Sequence, residues 1–130
     1  MQLQLDHLIL NVNDRQKSIE FYTQVLGMAY EGEREGTPFS VVRVTPEVIL
    51  QLAPFGTKGG EHLAFSVARP EFDRALARIR ERGVEYGDSF DTVGNMRAPG
   101  DSGGAKGPGK SIYLFDPSRH LIEFICYDPA

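Results

Sequence analysis

Asp6-His7-Leu8-Ile9-Leu10-Asn11-Val12 and Glu61-His62-Leu63-Ala64-Phe65-Ser66-Val67 carry one pattern twice: an acid, a histidine, a leucine, two apolar residues, a small polar residue and a valine. Each run is short, apolar and interrupted by a single imidazole, which reads as a strand carrying one polar group for a purpose. Repetition at this spacing implies two similar units, neither of which buries its sheet alone.

The residues after each run repeat as well. After the first, Asn13 and Asp14 offer helix-start chemistry. Ile19, Tyr22, Val25 and Leu26 then recur at helical spacing up to Gly27, a residue suited to the left-handed turn that ends a helix. Residues 28–33, 38–44 and 48–53 read as three strands separated by turns at Gly36-Thr37 and Thr45-Pro46-Glu47. After a connector over 54–60, the second run leads into a helix opened by Pro70. Its buried stripe is Phe72, Ala75, Leu76 and Ile79, its solvent face is rich in arginine, and Gly83 closes it. Residues 84–86 and 89–93 read as a broken strand, and 110–115 and 121–127 as the final two. The order β-α-β-β-β therefore occurs twice, giving an α+β chain with one module over residues 1–54 and a second over 61–130.

Residues 94–109, rich in Gly and Pro, show no apolar periodicity and read as a long loop. It either covers a site or is a mobile surface excursion.

Alternation along a strand sorts the side chains. His62, Ala64 and Ser66 share a face, with the larger Leu63, Phe65 and Val67 on the other, under the helix. Glu123, in His120-Leu121-Ile122-Glu123-Phe124, lies with Leu121 and Ile125, and His7 lies opposite Leu8, Leu10 and Val12. His7, His62 and Glu123 thus all fall on the helix-free face, and Gln51 falls on the same kind of face, where its amide oxygen is either a weak fourth ligand or only part of the cavity lining. A single buried histidine is more often a hydrogen-bonded core residue than a ligand, and a buried glutamate more often pairs with an arginine such as Arg43 or Arg97. Two imidazoles and a carboxylate on matching faces of repeated strands are instead the ligand set that holds a divalent metal and leaves positions open for substrate. Asp6 and Glu61 point to the opposite face and read as surface groups or as groups supporting a ligand.

The chain has 130 residues with 41% hydrophobic and 25% charged, a net charge of −4 and a pI near 5.3. One domain follows from the length. The acidic balance argues against nucleic acid or an anionic membrane as the main partner. The single cysteine, Cys126, has no internal partner and fits a reducing compartment. Neither a signal peptide nor a membrane span is legible, so a cytoplasmic setting is expected.

Together with Phe21-Tyr22, Val25-Leu26-Gly27-Met28 and Phe115-Asp116-Pro117, these runs resemble the vicinal oxygen chelate superfamily of glyoxalases, bleomycin-resistance proteins and extradiol dioxygenases. The resemblance implies a single domain of two βαβββ modules forming a cupped, open β-barrel. It implies one divalent metal per site (Fe²⁺, Mn²⁺, Ni²⁺, Zn²⁺ or Co²⁺) held by His7, His62 and Glu123. It also implies Glu123 as the catalytic residue, lyase, isomerase or oxygenase chemistry on a small substrate chelated through vicinal oxygens, and a homodimer with composite active sites. In such a dimer His7 of one subunit faces His62 and Glu123 of its mate. Where many glyoxalases carry a glutamate, this chain has Gln51, which puts glyoxalase activity in doubt and resembles methylmalonyl-CoA epimerase. Ile9 replaces the threonine usual in fosfomycin transferases. The rival expectation is a metal-free protein that sequesters a drug or metabolite.

Overall fold

The computed structural model describes residues 2–128. Its elements are β1 (His7–Asn11), α1 (Arg15–Glu20) continued by a wider turn over Phe21–Val25, β2 (Ala29–Glu33), β3 (Ser40–Thr45) and β4 (Val48–Ala53), then β5 (His62–Ser66), α2 (Arg69–Glu81), β6 (Gly100–Gly104), β7 (Gly107–Phe115) and β8 (Leu121–Cys126). The chain divides between Lys58 and Gly59 into two compact units. Each is a βαβββ module with one four-stranded mixed sheet, ordered β1-β4-β3-β2 in the first and β5-β8-β7-β6 in the second.

In the first unit β1 runs parallel to β4, pairing His7 with Ile49 and Ile9 with Gln51. The antiparallel β3 places Val41 beside Gln51 and Val42 beside Leu50. Leu10, Val42, Leu50 and Leu52 are buried with Tyr22 on the face that α1 covers. Truncating a leucine such as Leu50 to alanine costs roughly 2–5 kcal/mol. β1 is an edge strand of this sheet, and its Leu8 and Ile9 are 36% and 51% exposed. Asp14 caps α1, its carboxylate accepting from the Lys17 amide at 2.9 Å. The helix does not stay regular to Gly27. Leu26 N–H reaches back five residues to Phe21 O, and the buried residues are Ser18, Phe21, Tyr22, Val25 and Leu26, with Ile19 only half-buried.

The second unit repeats the plan. β5 and β8 are parallel, pairing His62 with Leu121 and Ala64 with Glu123, while β7 sets Tyr113 beside Glu123 and Ser111 beside Ile125. Phe72, Ala75 and Ile79 of α2 are buried, as the helical spacing predicts, while Leu76 of the expected stripe is only half-buried, and α2 packs on β8.

Two readings of the sequence are corrected here. Residues 84–96 form no broken strand, only a single bridge between Gly87 and Tyr113. They coil around two acceptors. Tyr86 O takes the amides of Gly94 and Met96, and Asp88 Oδ1 takes Thr92 Oγ1 and Asn95 Nδ2, each at 2.8 Å. The expected loop over 94–109 is mostly a β-hairpin, with Gly100 opposite Ser111 and Gly104 opposite Gly107. Its glycines permit close approach. A β-carbon on Gly104 meets Tyr127 Oη, one on Gly109 meets Ile125, and one on Gly100 overlaps the Asp88 carbonyl. Among the described residues no helix is long and apolar enough to cross a membrane.

Candidate metal centre

The helix-free face of the second sheet carries a chain of four polar side chains. His62 Nε2 lies 2.9 Å from Glu123 Oε1. Ser111 Oγ donates to the other carboxylate oxygen, Oε2, at 2.6 Å, and Ser102 Oγ lies 2.6 Å from Ser111 Oγ. A serine hydroxyl has one proton. With Glu123 ionised, Ser111 gives its proton to the carboxylate, so Ser102 is the donor to Ser111. The 2.6 Å length is that of a charge-assisted O–H···O⁻ bond.

The strands explain this arrangement. Parallel pairing of β5 with β8 sets His62 diagonal to Glu123 on one face, and antiparallel pairing of β7 brings Ser111 and Tyr113 to the same face. Glu123 is only 5% exposed, whereas the His62 side chain is 49% exposed. The carboxylate is thus a buried group that needs partners, and the imidazole is its opening to the outside. Tyr113 packs beside them, its ring centroid 6.3 Å from that of His62. Burial, and then the neighbouring Glu123 carboxylate, holds the Tyr113 hydroxyl above its ordinary value against a smaller opposing pull from Ser111 and Ser102.

His7 lies in the first unit. Its Nδ1 is 2.8 Å from Asp6 Oδ2, which leaves Nε2 as the ring nitrogen outside that contact. Asp6 is a surface group in contact with His7. Gln51, wholly buried, accepts from Arg34 Nη1 at 3.2 Å through Oε1, while its Nε2 has no hydrogen-bond partner. Of the alternative partners weighed for Glu123, Arg43 is engaged elsewhere: it grips Glu31 through Nε and Nη2 at 2.9 and 2.8 Å. The remaining histidine, His120, is buried and takes the Glu61 amide on Nδ1 at 3.2 Å, a structural role.

Among the described residues no three His, Cys, Asp or Glu side chains are grouped as a metal cluster. Two of the three predicted residues, His62 and Glu123, do come together. Two neighbouring ligands at about 2.1 Å from one metal and at right angles sit about 3.0 Å apart. The 2.9 Å separation of Nε2 and Oε1 fits that spacing and is also the length of an ordinary N–H···O hydrogen bond. The donor set, imidazole nitrogen plus carboxylate oxygen, suits a first-row divalent ion. Ser102, Ser111 and Arg34 were not singled out by sequence reasoning. Ser111 shares strand parity with Tyr113, but only the β7–β8 register brings it to Glu123.

Residues 4–124 match the family model described as Glyoxalase/Bleomycin resistance protein/Dioxygenase superfamily. The chain is 30% identical over 132 residues to a "Probable lactoylglutathione lyase" of Vibrio cholerae, covering 92% of this chain and 87% of that protein. It is 28% identical over 130 residues to Virulence protein STM3117 of Salmonella typhimurium, covering 95% and 83%. The crystal structure of STM3117 superposes with a TM-score of 0.76 at 25% identity, covering 98% and 99% of the two chains. The solved structure of Oxidase ChaP-H1 gives a TM-score of 0.76 at 31% identity, covering 98% of each. On the family match and these relatives, the chain belongs to the glyoxalase/bleomycin resistance/dioxygenase superfamily.

Proposed function

We propose that the protein is a divalent-metal-dependent enzyme acting on a small molecule through two neighbouring oxygens, with His7, His62 and Glu123 as its metal ligands. The supporting observation is that His62 Nε2 and Glu123 Oε1 sit 2.9 Å apart while Ser111 occupies the second carboxylate oxygen. The buried carboxylate is thereby oriented, with one oxygen left to ligate. When bound, the metal supplies Lewis-acid stabilisation of charge developing on substrate oxygen. The chain's own residues orient the ligands. Asp6 contacts the His7 ring, and Ser111 fixes Glu123. Ser102 Oγ donating to Ser111 Oγ, and Ser111 Oγ to Glu123 Oε2, hold the carboxylate as an acceptor. Glu123 is the catalytic residue in this reading. The family's breadth, from a lactoylglutathione lyase to an oxidase among the relatives, supports lyase, isomerase or oxygenase chemistry without choosing among them.

The reading extends to a homodimer in which His7 of one subunit joins His62 and Glu123 of its mate, in a reducing cytosolic setting that suits the buried thiol of Cys126. Metal analysis of protein purified without chelator is the test, with about one equivalent of Fe, Mn, Ni, Zn or Co per chain expected. Glu123→Gln lowers occupancy sharply, and wild-type metal content and turnover in that variant remove Glu123 from the site. Saturable ligand binding by a wild-type protein that takes up no metal assigns the sequestering role instead.

A further inference from the structure

β5 lies at the edge of its sheet and His62 is its first residue, so the half-exposed imidazole that meets Glu123 is carried by a strand end. Strand ends at a sheet edge open most readily. This one is pinned by the turn that leads into β8. Gly60 N–H donates to Arg119 O at 3.2 Å, Glu61 N–H to His120 Nδ1 at 3.2 Å, and Leu121 N–H to Glu61 O at 2.8 Å. Gly59 permits the close approach, since a β-carbon there overlaps the Arg119 carbonyl.

The middle bond differs from its neighbours because a side chain supplies the acceptor. His120 is 1% exposed, and the turn that carries it is itself fixed. Asp116 Oδ1 accepts the amides of Ser118 and His120 at 2.9 and 2.8 Å, and Asp116 N–H donates to His120 O at 2.9 Å. A ring nitrogen that accepts carries no proton, so neutral His120 holds its proton on Nε2. The ring thus presents Nδ1, from a rigid base, to the amide one residue before His62.

We propose that His120 is a positioning residue for His62: by accepting the Glu61 amide it sets the start of β5, and through it the approach of the imidazole to Glu123. The inference rests on the reading of His62 and Glu123 as the working pair of the site. Its main readouts need no metal, so the two fail separately.

The test separates the acceptor from packing. Asn Oδ1 and His Nδ1 are both bonded to Cγ, so His120→Asn keeps the acceptor and loses volume. His120→Leu keeps an apolar volume and loses the acceptor. In metal-free wild-type protein the Glu61 amide is expected to exchange at least about tenfold below its intrinsic rate, and ¹³C relaxation to report an ordered His62 ring. His120→Leu removes the protection and mobilises the ring, whereas His120→Asn keeps both. Competition titration against a chelator gives metal affinity about tenfold weaker in His120→Leu and near wild type in His120→Asn. A wild-type Glu61 amide exchanging at its intrinsic rate overturns the proposal without recourse to any variant. Folded His120→Leu with protection, ring order or metal affinity intact also overturns it. A folded His120→Asn as loose as His120→Leu does the same and assigns the ring to packing alone. Wild-type protein that takes up no metal removes the enzyme reading, while the exchange and relaxation results still decide the role of His120.

Discussion

Ser111 Oγ donates to Glu123 Oε2 at 2.6 Å, so one oxygen of the buried carboxylate is engaged from within the sheet and the other, Oε1, faces His62. This single contact decides how Glu123 presents itself. Ser111→Ala is expected to leave Oε2 unmet, to loosen Glu123 and to weaken metal affinity by about 10–100-fold, the usual effect of removing a group that supports a ligand. Ser111→Thr, which keeps the hydroxyl, should restore most of it. Competition titration with a chromophoric chelator measures both, and unchanged affinity in Ser111→Ala shows that Ser111 does not act through Glu123.

Mixing two defective variants tests the shared site. If His7 acts with Glu123 of the mate, His7→Ala and Glu123→Gln chains each lack metal alone, yet one intact site forms in every mixed dimer. Recovery of up to half the wild-type metal per mixed dimer is expected after the variants are unfolded and refolded together. No recovery places all three ligands in one chain.

Gly100 and Gly103 lie three residues apart on β6 and should respond oppositely to alanine. A β-carbon on Gly100 overlaps the Asp88 carbonyl backbone, and one on Gly103 meets nothing closer than Gly107 O at 3.8 Å. Gly100→Ala is expected to lose about 1–3 kcal/mol through overpacking, and Gly103→Ala to stay within about 0.5 kcal/mol of wild type. Urea melts of the pair give both values.

Asp88 predicts an acid-sensitive segment. Hydrogen bonds from Asn95 and Thr92 hold its carboxyl below the ordinary aspartate value of 3.8. A carboxyl depressed in the folded state stabilises it above the unfolded value, and that contribution disappears as pH falls through the folded value. Amide exchange over residues 88–96, referenced to intrinsic rates, should therefore show protection that is constant near pH 5–7 and lost below about pH 4. In Asp88→Asn the protection should be low at every pH. Protection in the wild-type segment that is unchanged down to pH 2 contradicts the assignment.

The twin strands were legible because burial writes a two-residue period into the sequence, and β4 begins and ends where the apolar run does. The shared face of His62 and Glu123 was legible for the same reason. β6 was not, because its residues, Gly-Asp-Ser-Gly-Gly, carry no apolar alternation. That strand exists through backbone pairing with β7 and through the absence of β-carbons where Asp88, Tyr127 and Ile125 come close. Arg34 was hidden differently. It stands outside any strand, and only the folded chain brings its guanidinium to Gln51 from 17 residues away.

The parallel pairing of β1 with β4, and of β5 with β8, governs the order of assembly on the ribosome. In each half the opening strand has no neighbour until the closing strand has been synthesised. The first half can complete its ladder once Ala53 has cleared the exit tunnel, while β5 must wait for Cys126. His62 consequently emerges well before Ser111 and Glu123, the groups that later fix its surroundings, and spends that interval in an unfinished chain.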